Sequence, residues 1–378
     1  MSRVEDVPDA DSIAHAGASA KAFDDGRVVA TDRWTALVLA SLGVTLFAVV
    51  LVSICAGQYT IAPATALWTL IDKLGGADML AYGLGGSSTA WTEMDERIVT
   101  LVRGPRVLLA ALCGAGLAVA GAALQGIFRN PLAAPEMLGV SAGAAFGGAI
   151  AILLSLPGLL MIGGAFTSGM IALLIVGAIA RVEGGSAPTS VLLAGVIVGA
   201  FFMALVSVTQ LFADPHNSLP AITFWLMGSF ASASWDQVGI ASPAVFLGCV
   251  VLWLMRFRIN ALCLGEEEAR TLGIPVEGDR WLVLISVALI AAATVSVAGI
   301  VGWVGIVIPH AARFLVGHDH RILLPASCLL GASYLCAVDT VARSATPGEI
   351  PVGVLTALIG APFIAWMLRK ALMGRGIG

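Results

Sequence analysis

Charged residues are scarce in this chain, and that scarcity excludes most soluble folds. Asp, Glu, Lys and Arg together make up 12% of the sequence, whereas hydrophobic residues make up 58%. A soluble globular domain carries roughly 25% charged residues, so too few polar side chains remain here to cover a surface in water. The chain therefore requires membrane lipid as its solvent. It presents no basic face that would predict a nucleic acid partner.

Motifs for catalysis and metal binding are missing as well. None of the three lysines lies in a GxxxxGK[ST] motif, so we expect no nucleotide hydrolysis and no cofactor on this chain. The six cysteines show no CxxC or Cys/His spacing, and we predict no metal site. His318 and His320 flank Asp319, which we interpret as a solvated turn. The remaining histidines do not cluster, which argues against a membrane-embedded enzyme.

What the sequence does contain is a series of long hydrophobic runs. A membrane-spanning helix needs about 20 mostly apolar residues. Ten runs qualify, at 35–56, 105–127, 135–156, 159–180, 188–212, 238–256, 281–300, 303–317, 322–342 and 351–369. The predicted fold class is an all-α membrane protein, a polytopic bundle of about ten transmembrane helices within residues 34–372. The polar segment 1–33 lacks the apolar core of a signal peptide, and we expect a disordered cytoplasmic tail there.

The distribution of positive charge tests this count of ten helices. With both termini in the cytoplasm, the inside segments receive 15 Lys and Arg residues and the outside segments receive 5. Cytoplasmic loops of membrane proteins carry such an excess. Removing one helix would move every later loop to the other side of the membrane and remove the excess of positive charge on the inside. The sequence therefore predicts a multi-pass protein with both ends inside.

Glycine is placed for close packing of helices. Gly139, Gly143 and Gly147 recur every four residues, which gives the third span a smooth face that a neighbouring backbone can approach. The alternative is a stripe that lines a pore. A weak inverted repeat is also visible, because Val119-Ala120-Gly121 and Val297-Ala298-Gly299 are each followed by Pro ten residues later and Gly eighteen residues later.

Four blocks of sequence carry a family resemblance. They lie at 103–147, 224–235, 264–274 and 299–362, and they contain the RGPR, NPLA, LGV and GWVGIVIPH motifs in this order. From about residue 35 to the C-terminus the chain resembles the permease family of bacterial ferric-siderophore, haem and vitamin B12 ABC importers. Val307 stands where a leucine is frequent in that family.

The resemblance implies a set of partners and a location. It implies a homodimer in the bacterial inner membrane, two cytoplasmic ATPase subunits that bind ATP and Mg, and a periplasmic substrate-binding protein. The expected cargo is an iron chelate, a ferric siderophore or haem, with cobalamin as the alternative. An ion-coupled secondary transporter is the competing class, but such proteins need buried acidic residues, and only Asp339 qualifies in the sequence.

The cytoplasmic loop 258–280 is predicted to couple the chain to its ATPase. Gly265 begins a short helix there, and Gly273 with Pro275 ends it. The resemblance makes this the coupling helix, with Ala269, Leu272 and Gly273 as contact surface and Glu266, Glu267 and Arg270 around them. The alternative is a solvated loop helix.

Three arginines are predicted to face the periplasm, against the charge bias. Arg103 and Arg106 precede the second span, and Arg343 follows the ninth. They would either anchor helices at the headgroups or dock the binding protein, since Arg binds carboxylates bidentately; the resemblance favours docking. Asp339 lies one helical turn from Arg343, which predicts an i,i+4 ion pair. We expect structural roles for Asp339 and His310.

Four uncharged residues at the inner end are candidates for the translocation path. Asn130 and Leu132 lie between the second and third spans, and Thr189 and Ser190 begin the fifth. Asn130 and Ser190 would serve equally well as helix caps. The resemblance assigns all four to the pore and its cytoplasmic gate, where weak uncharged groups suit a large polar cargo.

Overall fold

A computed structural model describes residues 10–73, 92–182, 188–346 and 348–375, and within these ranges the chain is helical without a strand. Its helices are α1 (Ala10–Cys55), α2 (Pro63–Lys73), α3 (Glu93–Arg97), α4 (Gly104–Ile127), α5 (Val140–Leu153), α6 (Gly158–Val182), α7 (Pro188–Leu211), α8 (Ser218–Leu226), α9 (Trp235–Leu254), α10 (Arg256–Leu264), α11 (Glu266–Thr271), α12 (Val276–Ala298), α13 (Val304–Val316), α14 (His320–Ala345) and α15 (Val352–Arg375). A π-helical segment, Ile98–Arg103, joins α3 to α4, and a 3-10 turn, Pro135–Leu138, precedes α5.

The prediction of ten hydrophobic helices is confirmed. Seven helices of the described chain are long and apolar enough to cross a membrane, and three shorter apolar helices accompany them. Each predicted span coincides with one of these ten. The eighth, α13, has 13 residues, which is about 20 Å of helix at 1.5 Å per residue and less than the hydrocarbon thickness of a bilayer.

Two features of the fold differ from the prediction. The first helix begins at Ala10, so it runs through most of the segment 1–33 that we expected to be disordered; residues 1–9 lie outside the described chain. The segment is rich in alanine, the strongest helix former. The short helices α2, α8 and α10 were not predicted, because each is too short to give a hydropathy signal.

The core of the bundle is built from α4 and α12, whose residues are mostly buried. Most residues of the spans in α1 and α7 are not buried. Around α4 pack α14, α13, α9 and α12. Glycines permit these close approaches. A Cβ atom on Gly121 would lie 2.0 Å from the carbonyl oxygen of Gly305, and one on Gly114 would lie 2.3 Å from that of Gly331.

The glycines of the third span pack against two different neighbours. Gly143 and Gly147 face α6, where an added Cβ would lie 2.8 Å from the Ser168 oxygen and 2.4 Å from the Gly164 oxygen, respectively. Gly139 precedes α5 with a φ of 73° and faces α7 instead. The residues of the weak repeat do not occupy equivalent places, since Gly121 lies inside α4 whereas Gly299 follows the end of α12.

Substitution of Gly121 by Ala tests the close packing of α4 against α13. Because the clash is with backbone rather than with a flexible side chain, we expect the free energy of unfolding to fall by about 1–3 kcal/mol, as in other overpacked cores. Gly43→Ala is the matched control, since nothing lies within 4 Å of its added Cβ, and a helical Gly→Ala change without a clash stabilises by roughly 0.5–1 kcal/mol. Thermal unfolding in detergent measures both variants. Equal unfolding midpoints for Gly121→Ala and Gly43→Ala would contradict the close packing of α4 against α13.

Candidate functional site

The segment α11 is a short helix that projects from the bundle between two glycines. Gly265 precedes it with a φ of 143°, and Gly273 follows it with a φ of 75°, a value that favours glycine. The amide of Gly273 donates to the Arg270 oxygen at 2.9 Å, and the amide of Ile274 donates to the Ala269 oxygen at 3.1 Å, which closes the helix end. The segment is therefore a defined helix rather than an open loop.

Ion pairs fix this helix to the bundle. The carboxylate of Glu266 lies 2.5 Å from Arg280 of α12 and 3.8 Å from Arg270. A second pair joins Arg258 of α10 to Asp279 of α12 at 2.8 Å. The first pair ties the predicted coupling helix to α12, and the second ties the preceding helix α10 to the same helix.

The exposed face of α11 differs from the predicted one at a single residue. Leu272 is 62% exposed, although it is a large apolar side chain, and Glu267, Arg270 and Gly273 are exposed beside it. Ala269 is fully buried in the core. The prediction that Ala269 supplies contact surface is therefore wrong, because Ala269 is on the face of the helix that packs against the bundle.

At the opposite end of the bundle, two arginines bind the C-terminal carbonyls of α1. Arg103 donates to the oxygens of Ile54 at 2.6 Å and Cys55 at 2.9 Å, and also to Tyr59. Arg343 donates to Ala56 at 2.7 Å and to Ser53. The last carbonyls of a helix lack intrahelical partners and carry partial negative charge, so two guanidinium groups are well suited to hold this end of α1.

The third arginine belongs to a buried charge network. Arg106 donates to both oxygens of Asp339, the shortest contact being 2.8 Å, and to Glu349 at 3.0 Å. Arg343 lies 3.6 Å from Asp339, which confirms the predicted i,i+4 pair. Arg106 was not predicted as a partner, because it is 233 residues away in the sequence.

The interpretation of these arginines as an open docking patch needs correction. Arg103, Arg106 and Arg343 are 5%, 6% and 7% exposed, respectively, and all three bond groups of their own chain. Their positive charge balances the carbonyls at the end of α1 and the carboxylates of Asp339 and Glu349. Docking of a partner protein by these side chains remains a prediction.

The predicted gate residues do not form one cluster. Asn130 Oδ1 accepts the backbone amide of Leu132 at 2.9 Å, which forms an Asx turn between helices rather than a helix cap, while Leu132 is 39% exposed. Thr189 is exposed and Ser190 half-buried, both at the start of α7. No hydrogen bond joins the two pairs in the part of the chain that the structure describes, and the gate remains a prediction.

A cavity of about 510 Å³ lies at the end of the bundle where α4 and α13 finish and α14 begins. We call this the inner end, since the charge count assigns it to the cytoplasm. The lining consists of Gln125, Gly126, Arg129, Asn130, Pro131, Asn260, Cys263, His310, Arg313, His318 and His320. Burial raises the pKa of the Cys263 thiol to about 11, so this thiol is neutral at physiological pH. Within the described chain no group of three metal-ligating residues occurs.

The structure also reveals one polar residue that sequence reasoning missed. Both carboxylate oxygens of Glu136 are enclosed, with the backbone amides of Glu136 and Trp303 beside them and no ion pair among the described residues. A Cβ added to Gly302 would lie 3.8 Å from Glu136 Oε1, so the carboxylate faces the chain that leads into α13. The only signal in the sequence was an acidic residue beside an apolar run.

The ten apolar helices of the described chain define a multi-pass protein of the inner membrane. Residues 45–370 match the FecCD transport family, and the chain belongs to that family. It is 38% identical over 281 residues to the permease protein of the molybdate import system of Haemophilus influenzae, covering 74% of this chain and 83% of that protein.

Other relatives import different cargo. The chain is 40% identical over 277 residues to the cobalamin import permease of Halobacterium salinarum, covering 73% of this chain and 74% of that protein. It is 38% identical over 310 residues to the hemin transport permease of Yersinia pestis, covering 80% and 92%. A solved metal-chelate type ABC transporter in an inward-facing conformation matches with a TM-score of 0.77 and 36% identity, covering 88% of this chain and 98% of that one.

Proposed function

We propose that this chain is the transmembrane subunit of a binding-protein-dependent ABC importer that moves an iron chelate, a ferric siderophore or haem, into the cell. A second copy completes the pore, and a separate ATPase supplies the energy by hydrolysing MgATP. The observation that carries the proposal is the match of residues 45–370 to the FecCD transport family. We assign the ATPase contact to the end of α11, where Leu272 is 62% exposed next to a helix that an ion pair ties to α12.

The cargo is tested in proteoliposomes that contain the chain, its ATPase and its binding protein. We expect uptake of a radiolabelled ferric siderophore or of haem to require internal ATP, because the chain lacks a nucleotide-binding motif of its own. Cyanocobalamin and molybdate are the competing cargoes, since relatives import each of them. ATP-dependent uptake of either, without uptake of an iron chelate, would overturn the cargo assignment.

The competing class, an ion-coupled transporter, needs a buried carboxylate that exchanges its ion. Asp339 does not fit, because two arginines neutralise it. Glu136 is the remaining candidate, since its carboxylate is enclosed without an ion pair among the described residues. Uptake that continues without ATP and stops in Glu136→Gln would establish the ion-coupled class. We expect uptake to stop without ATP and to continue in Glu136→Gln.

The docking role of the outer arginines is tested by substitution with lysine. Arg343→Lys and Arg103→Lys should each lower the free energy of unfolding by about 1–3 kcal/mol, because one ammonium replaces several charged hydrogen bonds to α1. Since both guanidinium groups are already bonded within the chain, we expect affinity for the binding protein to change less than twofold at a temperature where the variants are folded. A loss of tenfold or more with intact folding would restore direct docking.

A further inference from the structure

The inner cavity is lined by basic and neutral side chains, without a carboxylate. Arg129 and Arg313 both contribute to its wall, and neither makes an ion pair with any residue in the described ranges. Two like charges that share a partly enclosed space repel each other and are costly to desolvate. The cavity therefore carries positive charge that its own wall does not balance.

Neighbouring acidic residues are already engaged elsewhere. Asp279 pairs with Arg258, and Glu266 pairs with Arg280. Asp319 stands at the start of α14, where it accepts the Asn260 amide at 2.7 Å and the backbone amide of Arg321 at 2.9 Å. These pairs leave Arg129 and Arg313 as the cations of this end that lack an acidic partner in the cavity.

The two arginines differ in how firmly they are placed. Arg313 donates to the Gln125 oxygen, and the Gln125 amide donates to the Gly305 oxygen at 3.1 Å, which links this side chain to the backbone of α13. A preorganised guanidinium group loses less entropy when it binds an anion. Arg129 has a fixed backbone, with a φ of 49° and its amide donating to the Gly126 oxygen at 3.1 Å, whereas its side chain is exposed.

The imidazoles of the wall differ in their partners. His320 Nδ1 lies 2.8 Å from Asn260 Oδ1, and its Nε2 lies 3.3 Å from the Ala122 oxygen. The ring nitrogens of His310 have no hydrogen-bond partner among the described residues, and the chain encloses both of them. His318 is exposed. The two guanidinium groups are therefore the groups of this wall that are suited to bind an anion.

We propose that this cavity is a binding site for a phosphate-type oxyanion, carried either by free inorganic phosphate or by a phospholipid headgroup. Guanidinium groups bind such oxyanions bidentately, and an oxyanion is the ligand that balances two unpaired arginines. The volume of about 510 Å³ exceeds that of one bare anion and accommodates a headgroup. The charge count places this end at the cytoplasmic leaflet, where anionic lipids are concentrated.

Two binding measurements on the full-length chain in nanodiscs test the site and distinguish the sources. In phosphatidylcholine nanodiscs, equilibrium dialysis with radiolabelled inorganic phosphate measures the free anion. In nanodiscs that also contain phosphatidylglycerol, native mass spectrometry after partial delipidation counts the retained anionic lipid. Arg129→Gln removes one cation from the cavity, and Arg129→Lys retains the charge. Arg181→Gln is the matched control, an exposed arginine outside the cavity.

We expect saturable binding in at least one of the two measurements. Arg129→Gln should weaken the binding affinity about tenfold or more, and Arg129→Lys should weaken it less. Arg181→Gln should change the affinity less than twofold. Binding in the dialysis arm identifies free phosphate as a ligand, and retention of phosphatidylglycerol alone identifies the headgroup. The unfolding midpoint of each variant without ligand separates lost binding from lost folding; if Arg129→Gln unfolds, Arg313→Gln replaces it. No saturable binding in either arm, or equal losses in Arg129→Gln and Arg181→Gln, would overturn the proposal.

Discussion

Replacing Leu272 by Asp is expected to abolish ATP-driven uptake while leaving the fold of the permease intact. Leu272 is 62% exposed in the isolated chain, so the change removes little packing. In a complex with an ATPase the same position would be buried, and a charge buried there without a partner costs several kcal/mol. Since 1.4 kcal/mol already corresponds to tenfold in affinity, copurification of the ATPase should fall by at least about tenfold.

Two further variants make this test specific. Gly278→Asp adds the same charge to an exposed position at the start of α12, where an added Cβ meets nothing within 4 Å, and it should retain both the ATPase and uptake. Ala269→Asp buries the charge inside the chain and should lower the unfolding midpoint instead, because Ala269 is fully buried. Full retention of ATPase and uptake in Leu272→Asp would remove α11 as the coupling element.

Replacing Arg106 by Ala is expected to destabilise the chain by about 3–5 kcal/mol, the cost of breaking a buried ion pair by removing one partner. The side chain of Arg106 is 8% exposed and that of Asp339 is 1% exposed. The change therefore leaves a buried carboxylate with only the more distant Arg343 at 3.6 Å, and it leaves Glu349 unpaired as well. Thermal unfolding of the purified protein in detergent measures the loss.

The exposed pair between Arg97 and Glu93 is the matched control. Its side chains are 67% and 79% exposed, so Arg97→Ala should change the free energy of unfolding by less than about 1 kcal/mol. The double variant Arg106→Met with Asp339→Leu should recover part of the loss, because an apolar pair needs no compensating charge. If Arg106→Ala costs no more than Arg97→Ala, the buried network does not stabilise this end of the bundle.

The helices were predictable from sequence because each depends on its own residues. A run of apolar side chains specifies a membrane helix without reference to other parts of the chain, and Gly265 and Gly273 bound α11 for local conformational reasons. The i,i+4 pair of Asp339 and Arg343 was predictable on the same grounds, since helical geometry alone brings these two residues together.

The candidate sites were predictable only in part, because their composition depends on packing. Ala269 could not be assigned to the buried face of α11 until α12 was placed beside it. The partners of Arg106 are 233 and 243 residues away, and no local pattern selects them among the acidic residues of the chain. The cavity has the same origin, since residues from α4, α10, α13 and α14 meet only in the folded bundle.

The sequence by itself determined that this chain is a membrane protein with ten apolar helices, where each of those ten lies, and that a short helix stands between Gly265 and Gly273, because hydropathy and glycine placement act over a few turns of helix. Only the tertiary structure decided that Arg103, Arg106 and Arg343 are buried, that Glu136 is enclosed, and that Arg129 and Arg313, which have no ion pair among the described residues, share a cavity. Desolvation and charge pairing depend on which atoms surround a group, and those atoms come from helices far apart in the chain.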